Sequence, residues 1–379
     1  MGNKKINILF VNTHFTPDYH FGGVVESGSK IYKYLNKITT DISLAVVSKT
    51  PDKVNKFLKN DERCYKSMIA HSYGFSPELI FGMWTQVKKC DRLFVNGTVT
   101  FPTIIAQLYA LLQRKPYIVS LRGAIEPWRM NHKKWKKYLY FKIIVIPLLK
   151  RASDIHVTAK QEENSLKLLG INKCFMASNG IDIEQYQSLP DKYKFNTPYL
   201  QDKFVFLFLS RMDKEKGLDI LFKAYTAFIR NNKSNDYVLL LVGPDNQNYL
   251  KSLKLDFSNL PVHYIPGVYG NEKIDVIRRS DIVLLPSYNE NFGNIVAEAF
   301  ACKRPVITTN GTPWNEIENL GCGFYIQPVE GELLTAMQRS YNMSIGERKN
   351  MGDIGRKYIF KDYDWSAKVD SIYSRIIEL

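Results

Sequence analysis

Short apolar runs alternate with longer amphipathic segments along the whole chain of 379 residues. In the first half the runs are "INILFVN" (6–12), "ISLAVVS" (42–48), "RLFVNG" (92–97), "PYIVSLRG" (116–123), "DIHVTA" (154–159) and "CFMASNG" (174–180). A polar stretch with two prolines, residues 181–203, reads as a linker. The rhythm then restarts with "FVFLFLSR" (204–211), "YVLLLVG" (237–243), "VHYIPG" (262–267), "DIVLLPS" (281–287), "PVITTN" (305–310) and "FYIQP" (324–328). Runs without polar alternation predict strands buried on both faces, as in parallel sheets covered by helices. Two such blocks predict an α/β chain of two doubly wound, Rossmann-like domains. In that architecture ligands gather beyond the carboxyl ends of the strands.

Those ends carry the candidate chemistry. After run 204–211, Arg211 ends the strand and Lys216 precedes Gly217 and a helix. A guanidinium fork, an ammonium and a helix N-terminus together suit a diphosphate. After run 281–287 comes "YNENFGNIVAEAF", with Glu290 and Glu298 on either side of Gly293. Gly293 lets the chain turn, and the N–H groups of about residues 292–295, with Phe292, Gly293 and Asn294 among them, suit a phosphate at the helix start. Carboxylates accept paired hydrogen bonds from sugar diols, so Glu290 and Glu298, flanking the phosphate cradle, can each serve the hydroxyls of one end of a sugar nucleotide.

Composition narrows the setting. Hydrophobic residues make up 45% of the chain, enough for two cores, and no apolar run reaches the length of a membrane span. The N-terminus reads as a first strand and not a signal peptide, and Ile6 breaks the myristoylation pattern. The five cysteines are scattered and form no Cys-x-x-Cys, which predicts reduced thiols, a cytoplasmic setting, and neither disulfides nor zinc. The net charge of +15 is lopsided: residues 1–190 hold 28 Lys and Arg against 14 Asp and Glu. The first half therefore faces something anionic. Residues 129–151 hold eight basic residues and no acid, interleaved with aromatics. Lys133, Lys134, Trp135, Lys136 and Lys137 are the candidate contacts with an anionic membrane, on the cytoplasmic face. A nucleic-acid surface would look similar, but no nucleic-acid fold motif accompanies it.

The ordered motifs "SRMDKEKG", "VGPD" and "DIVLLPSYNENFGNIVAEAFACKRPVITTNGTPWNEI" resemble the nucleotide-sugar domain of family-4 retaining glycosyltransferases, which have the GT-B fold. The resemblance places that family's Glu-x7-Glu motif on Glu290 and Glu298, and its phosphate-binding Arg and Lys on Arg211 and Lys216. Gly243 falls in the second strand-end glycine. The family's N-terminal glycine loop falls on Gly22 and Gly23, with His14, Asp18 and His20 beside it, and its "NGID" on residues 179–182. The last helix looks like the family's helix that returns to the first domain. The implied division is 1–185 plus 364–379 for the acceptor side and 186–363 for the donor side, the two facing a central cleft. Asn291 stands where the family usually has Gly, and Asn tolerates left-handed dihedrals. The first-domain loop "SLRGAIEPW" offers Arg122 and Glu126 where many members carry His or Asp.

The resemblance implies transfer of a sugar from a nucleoside diphosphate donor to a glycan or lipid-linked glycan, with retention and as part of cell-surface polysaccharide synthesis. Arg211, Lys216 and Glu290 would be the principal catalytic groups, joined by Glu126. No cofactor or metal is expected: Asp362-Tyr-Asp364 has the spelling of a metal motif but reads as a helix entry, and neither Walker A nor Gly-x-Gly-x-x-Gly occurs. Two other readings fit the residues: a nucleotide-sugar epimerase of related fold, and a non-catalytic nucleotide- or anion-binding module.

Overall fold

The structure, a computed structural model, describes residues 5–16, 23–59, 62–68, 73–125, 135–189, 195, 197–246, 248–253 and 260–379, without the side chains of residues 136 and 137. The chain divides into two compact units, Met1–Asn179 with Trp365–Leu379, and Gly180–Asp364.

The first unit is built on strands β1 (Ile8–Asn12), β2 (Ile42–Ser48), β3 (Arg63–Lys66), β4 (Arg92–Asn96), β5 (Tyr117–Ser120), β6 (Asp154–Val157) and β7 (Phe175–Met176). They form one parallel sheet in the order β3-β2-β1-β4-β5-β6-β7. Alternate residues feed two cores. Leu9, Val11, Leu93 and Val95 point to one face, and Ile8, Phe10 and Phe94 to the other. On that second face the helix Gly23–Ile38 packs with the final helix Trp365–Ile377, through Ile31, Leu35, Val369 and Ile372. Arg375 Nε donates to Asp154 Oδ2 at 2.5 Å, and Arg92 Nη1 to the Ile376 carbonyl, so polar contacts also hold the last helix to this unit.

The second unit contains β8 (Phe204–Leu209), β9 (Tyr237–Val242), β10 (Val262–Ile265), β11 (Ile282–Leu285), β12 (Val306–Thr309) and β13 (Gly323–Ile326). The parallel order is β10-β9-β8-β11-β12-β13. Every residue of β9, β11 and β12 is buried, as continuous apolar runs demand of a sheet covered on both faces.

Three readings of the sequence change. Strand β3 was not anticipated, because "RCYK" buries only Tyr65 and carries no apolar run. The run 174–180 shrinks to the two residues of β7. The stretch 181–203 is not a free linker: Ile181, Tyr186 and Leu200 sit in the second unit's core, and Ile181 N–H donates to the Tyr363 carbonyl at 2.7 Å. The units accordingly divide at 179/180 and 364/365, against the expected 185/186 and 363/364. Asp364 bridges Ile181 immediately before the last helix, a structural position. All five cysteines are free.

Candidate active site

In each sheet the strand order reverses direction at one place, β1/β4 in the first unit and β8/β11 in the second. Loops leaving the two strands at such a place diverge and open a crevice.

In the second unit the loop after β8 makes a short 3-10 turn, Lys214–Lys216, capped by Asp213, whose Oδ1 accepts from Glu215 N–H at 3.1 Å. The turn ends at Gly217, with φ +69. A Cβ there would lie 2.0 Å from the Pro286 carbonyl oxygen, so only glycine lets this loop close on the loop after β11. Tyr288 N–H donates to the Glu215 carbonyl at 2.8 Å, and the Tyr288 hydroxyl donates to Asp219 Oδ2 at 2.8 Å. These contacts deliver Lys216 to Glu290. Lys216 Nζ donates to Glu290 Oε1 at 2.5 Å, and Ser287 Oγ donates to the same oxygen at 3.2 Å.

The loop after β12 closes the other side. Glu290 N–H donates to the Gly311 carbonyl at 2.7 Å, and the Thr309 hydroxyl donates to the Ser287 carbonyl. A Cβ on Gly311 would meet the Tyr288 carbonyl oxygen at 2.4 Å. Glu290 is thus fixed by three loops and an ammonium.

Gly293, at φ +73, starts the helix Asn294–Ala301. Its first-turn N–H groups present the positive end of the helix dipole beside the crevice. Phe292 contributes only backbone here: its ring is buried against Trp314 and Tyr363, and its carbonyl accepts from the Trp314 indole. Asn291 does not adopt a positive φ, so Gly293 makes the turn without a left-handed asparagine. Glu298 is buried one helical turn further in and takes Lys273 Nζ on Oε1 at 2.5 Å. Lys273, on the helix Gly270–Arg279, was missed; nothing in the sequence links it to Glu298. Arg211 is exposed and makes no hydrogen bond or ion pair among the described residues. Gly243, at φ +141, lets the end of β9 approach β8, since a Cβ would stand 1.9 Å from the Ser210 carbonyl oxygen.

In the first unit the strand ends carry a buried polar network. Asn96 Nδ2 donates to Asn12 Oδ1 at 3.0 Å across β1 and β4. Arg122 follows β5 at φ +53, a backbone conformation costly for a side-chain-bearing residue. Its Nε donates to Asn96 Oδ1 and its Nη1 to Asn179 Oδ1, both at 2.7 Å, while Nη2 has no partner among the described residues. Burial pushes the guanidinium down to about 10, opposed by the charge of Glu162. Glu162 accepts from Gly123 N–H, Thr158 N–H and the Thr158 hydroxyl, which fixes the Arg122 loop. His156 is buried between Ser120 Oγ and the Ala177 carbonyl, each at 2.8 Å. Burial and then the Arg122 charge push it down to about 3, so it is neutral. Asn12, Asn96, His156 and Glu162 were not singled out from sequence, because asparagine at a strand end carries no periodic signal. His14 is buried. Gly23 begins the helix Gly23–Ile38. Gly22, Asp18, His20, Glu126, Lys133 and Lys134 lie outside the described residues.

The family model Glycosyl transferases group 1 matches residues 191–358, which contain Arg211, Lys216, Glu290 and Glu298. The chain is a glycosyltransferase. It is 24% identical to the capsular polysaccharide biosynthesis glycosyltransferase CapM of Staphylococcus aureus, over 83% of this chain and 87% of that one. The crystal structure of Anabaena HepE in complex with UDP and glucose superimposes with a TM-score of 0.77 at 17% identity, covering 99% of this glycosyltransferase and all of that chain. Sucrose-phosphate synthase of Thermosynechococcus elongatus gives 0.74 at 17% identity, with 99% and 100% covered. These structures share the two-unit α/β architecture of the GT-B fold. No described helix is long and apolar enough to cross a membrane.

Proposed function

We propose that the glycosyltransferase takes its sugar from a uridine diphosphate donor and transfers it, with retention at the anomeric carbon, to a glycan or lipid-linked glycan during cell-surface polysaccharide assembly. The observation that carries this reading is the Lys216–Glu290 pair at the β8/β11 reversal of a group 1 domain. The UDP complexes of HepE and the capsular role in CapM's name support the choice of donor base and pathway class.

In this reading Arg211, Lys216 and the Gly293 helix N-terminus stabilise the leaving diphosphate, an electrostatic role. The chain's own cations supply the charge, so transfer needs no metal. Glu290 orients the reacting sugar, and Glu298 accepts from the ribose. Arg122 is the first unit's polar contributor on the acceptor side. The Lys-rich segment around Trp135 holds the enzyme at an anionic membrane surface, where a lipid-linked acceptor resides.

UDP, GDP and ADP are to be compared by thermal shift, and the product's anomeric configuration read by NMR after incubation with UDP-sugars, acceptor and EDTA. The expected result is stabilisation by UDP above the others and a retained linkage with EDTA present. Isomerised donor without acceptor would establish the epimerase reading, an inverted product would overturn retention, and loss of activity restored by Mg would overturn the metal-free step.

A further inference from the structure

One face of the first unit's sheet is covered by the helix Lys160–Leu168 and by a layer of three further helical segments: Pro77–Lys89, Phe101–Leu112, and the continuous stretch Trp135–Tyr140, Phe141–Val145 and Ile146–Arg151. Their inner sides belong to one core: Met83, Val87, Ala106, Ala110, Val145 and Leu149 pack with β1, β4, β5 and β6. The segments also touch each other. The Trp84 ring meets Tyr109 edge-on at 5.1 Å, Gln113 Nε2 donates to the Trp84 carbonyl at 3.1 Å, and Ile146–Arg151 packs against Phe101–Leu112.

The outer side of this layer should be polar if it faces only water. Instead it carries Phe81, Leu112, Trp135 and Ile143 at 79%, 69%, 70% and 66% exposure, with Trp84 and Leu108 beside them. Single exposed apolar residues are ordinary, but six on one three-helix layer, two of them tryptophan, mark an interaction surface. Phe81 and Trp84, and Leu108 and Leu112, are spaced three and four apart, so each pair occupies one helix face. Around them stand Lys88, Lys89, Arg114, Lys142, Lys150 and Arg151, all exposed and none in an ion pair among the described residues. The only exposed acid on the three segments is Glu78.

We propose that this whole layer, and not the basic segment alone, is a docking face for an anionic bilayer. The tryptophans, Phe81, Leu108, Leu112 and Ile143 enter the headgroup and upper acyl region, and the cations sit among anionic headgroups. Charge complementarity selects this occupant: one acid against six exposed cations leaves nothing to pair with a basic partner, and each basic side chain near such a surface contributes about fivefold in partition. The proposal deepens the membrane-surface reading given above and rests on it.

The test is sedimentation of the full chain with phosphatidylglycerol-rich vesicles at low salt, against two variants. One is Phe81→Ser with Trp84→Ser and Leu112→Ser. The other reverses Lys133, Lys134, Lys136 and Lys137 to Glu. The expected result is wild-type binding released by salt, and a loss of about a hundredfold in partition for the Phe81/Trp84/Leu112 variant with its melting midpoint kept. Wild-type protein that ignores the vesicles overturns both readings. Binding lost only on charge reversal, and unchanged in the Phe81/Trp84/Leu112 variant, overturns the three-helix face while the basic segment stands. A dimer abolished by the same variant, with vesicles ignored, assigns the face to a second copy and overturns the proposal. Should the triple variant not fold, Trp84→Phe decides: quenching by brominated lipid must drop relative to wild type, and equal quenching refutes insertion of this face.

Discussion

Lys216→Met keeps most of the side-chain volume but removes the ammonium that Glu290 faces. The two side chains are 11% and 14% exposed. An exposed pair is worth about 0.2–1 kcal/mol, and breaking a fully buried pair costs about 3–5 kcal/mol. At this burial, with Ser287 still donating to the carboxylate, the cost should be about 2–3 kcal/mol. For a unit of the size of Gly180–Asp364 that lowers its melting midpoint by about 5–10 °C. Adding Glu290→Leu removes the stranded carboxylate and should return part of the loss, because replacing a whole buried pair with apolar side chains is often neutral.

The same ammonium is assigned to the diphosphate, so UDP provides a second readout. At a UDP concentration of 100 times the wild-type Kd, binding stabilises the native protein by about 2.7 kcal/mol. Losing a charged hydrogen bond of about 1.5–3 kcal/mol weakens Kd by about 10- to 100-fold. The stabilisation at the same UDP concentration then falls to about 1.4–0.4 kcal/mol. Glu290→Gln separates the two roles. It should leave UDP affinity within about threefold, while turnover falls about a hundredfold if Glu290 orients the sugar. Differential scanning fluorimetry with and without UDP, followed by turnover, covers all of these. A Lys216→Met protein with an unchanged midpoint and unchanged UDP shift would refute the reasoning, as would normal turnover in Glu290→Gln.

Arg211→Ala should weaken UDP binding without lowering the melting midpoint, since Arg211 has no partner among the described residues to lose; adding Lys216→Met should cost less than the sum of the two singles, and strict additivity would mean they hold different groups. Gly217→Ala should destabilise the second unit by about 3 kcal/mol or more, because the methyl meets the Pro286 carbonyl and the left-handed φ is lost; a midpoint within a degree of wild type would show that the loop closes another way. His156, pushed down to about 3 when folded, binds its proton near 6.5 only when unfolded, so stability is full above pH 6.5 and declines by up to about 1.4 kcal/mol per pH unit as pH falls from 6.5 toward 3. Urea midpoints from pH 7 to 4 should fall less steeply in His156→Gln, and parallel slopes would exclude His156 as the group responsible.

The strands were legible because their burial on both faces writes itself as unbroken apolar runs; β3, an edge strand with one buried side chain, writes nothing. Glu290, Glu298, Arg211 and Lys216 were legible as residue types at strand ends, but their contacts were not. Lys216 and Glu290 are 74 positions apart, and only the adjacency of β8 and β11 joins their loops. Residues 181–203 misled because their polar majority hides three core anchors, Ile181, Tyr186 and Leu200, too widely spaced for a period. Arg122 gave no sign of its left-handed backbone or its asparagine partners, which are tertiary facts.

The charge asymmetry acquires a wider address once the side chains are placed. A positive first half suggested an anionic partner, and the sequence placed it on residues 129–151 as a membrane surface. The strand-end site of the first unit holds a single described cation deep among asparagines, Arg122, balanced by Glu162 nearby. Part of the surplus charge stands on the outer helices, at Lys88, Lys89, Arg114, Lys142, Lys150 and Arg151, interleaved with exposed tryptophan and leucine. Catalytic sites concentrate a few charges whose partners are fixed; extended anionic surfaces are met by many unpaired ones. The second unit shows the first pattern, with Lys216 and Lys273 each on a glutamate, and the outer helices of the first unit show the second. Raising salt should therefore act on the two differently. Donor affinity, set by short paired contacts, should change little between 50 and about 300 mM salt, while vesicle binding collapses over a Debye length that shrinks below about 8 Å. A donor affinity that fell in step with vesicle binding would mean that the unpaired cations of the outer layer, and not Lys216 and Arg211, hold the diphosphate.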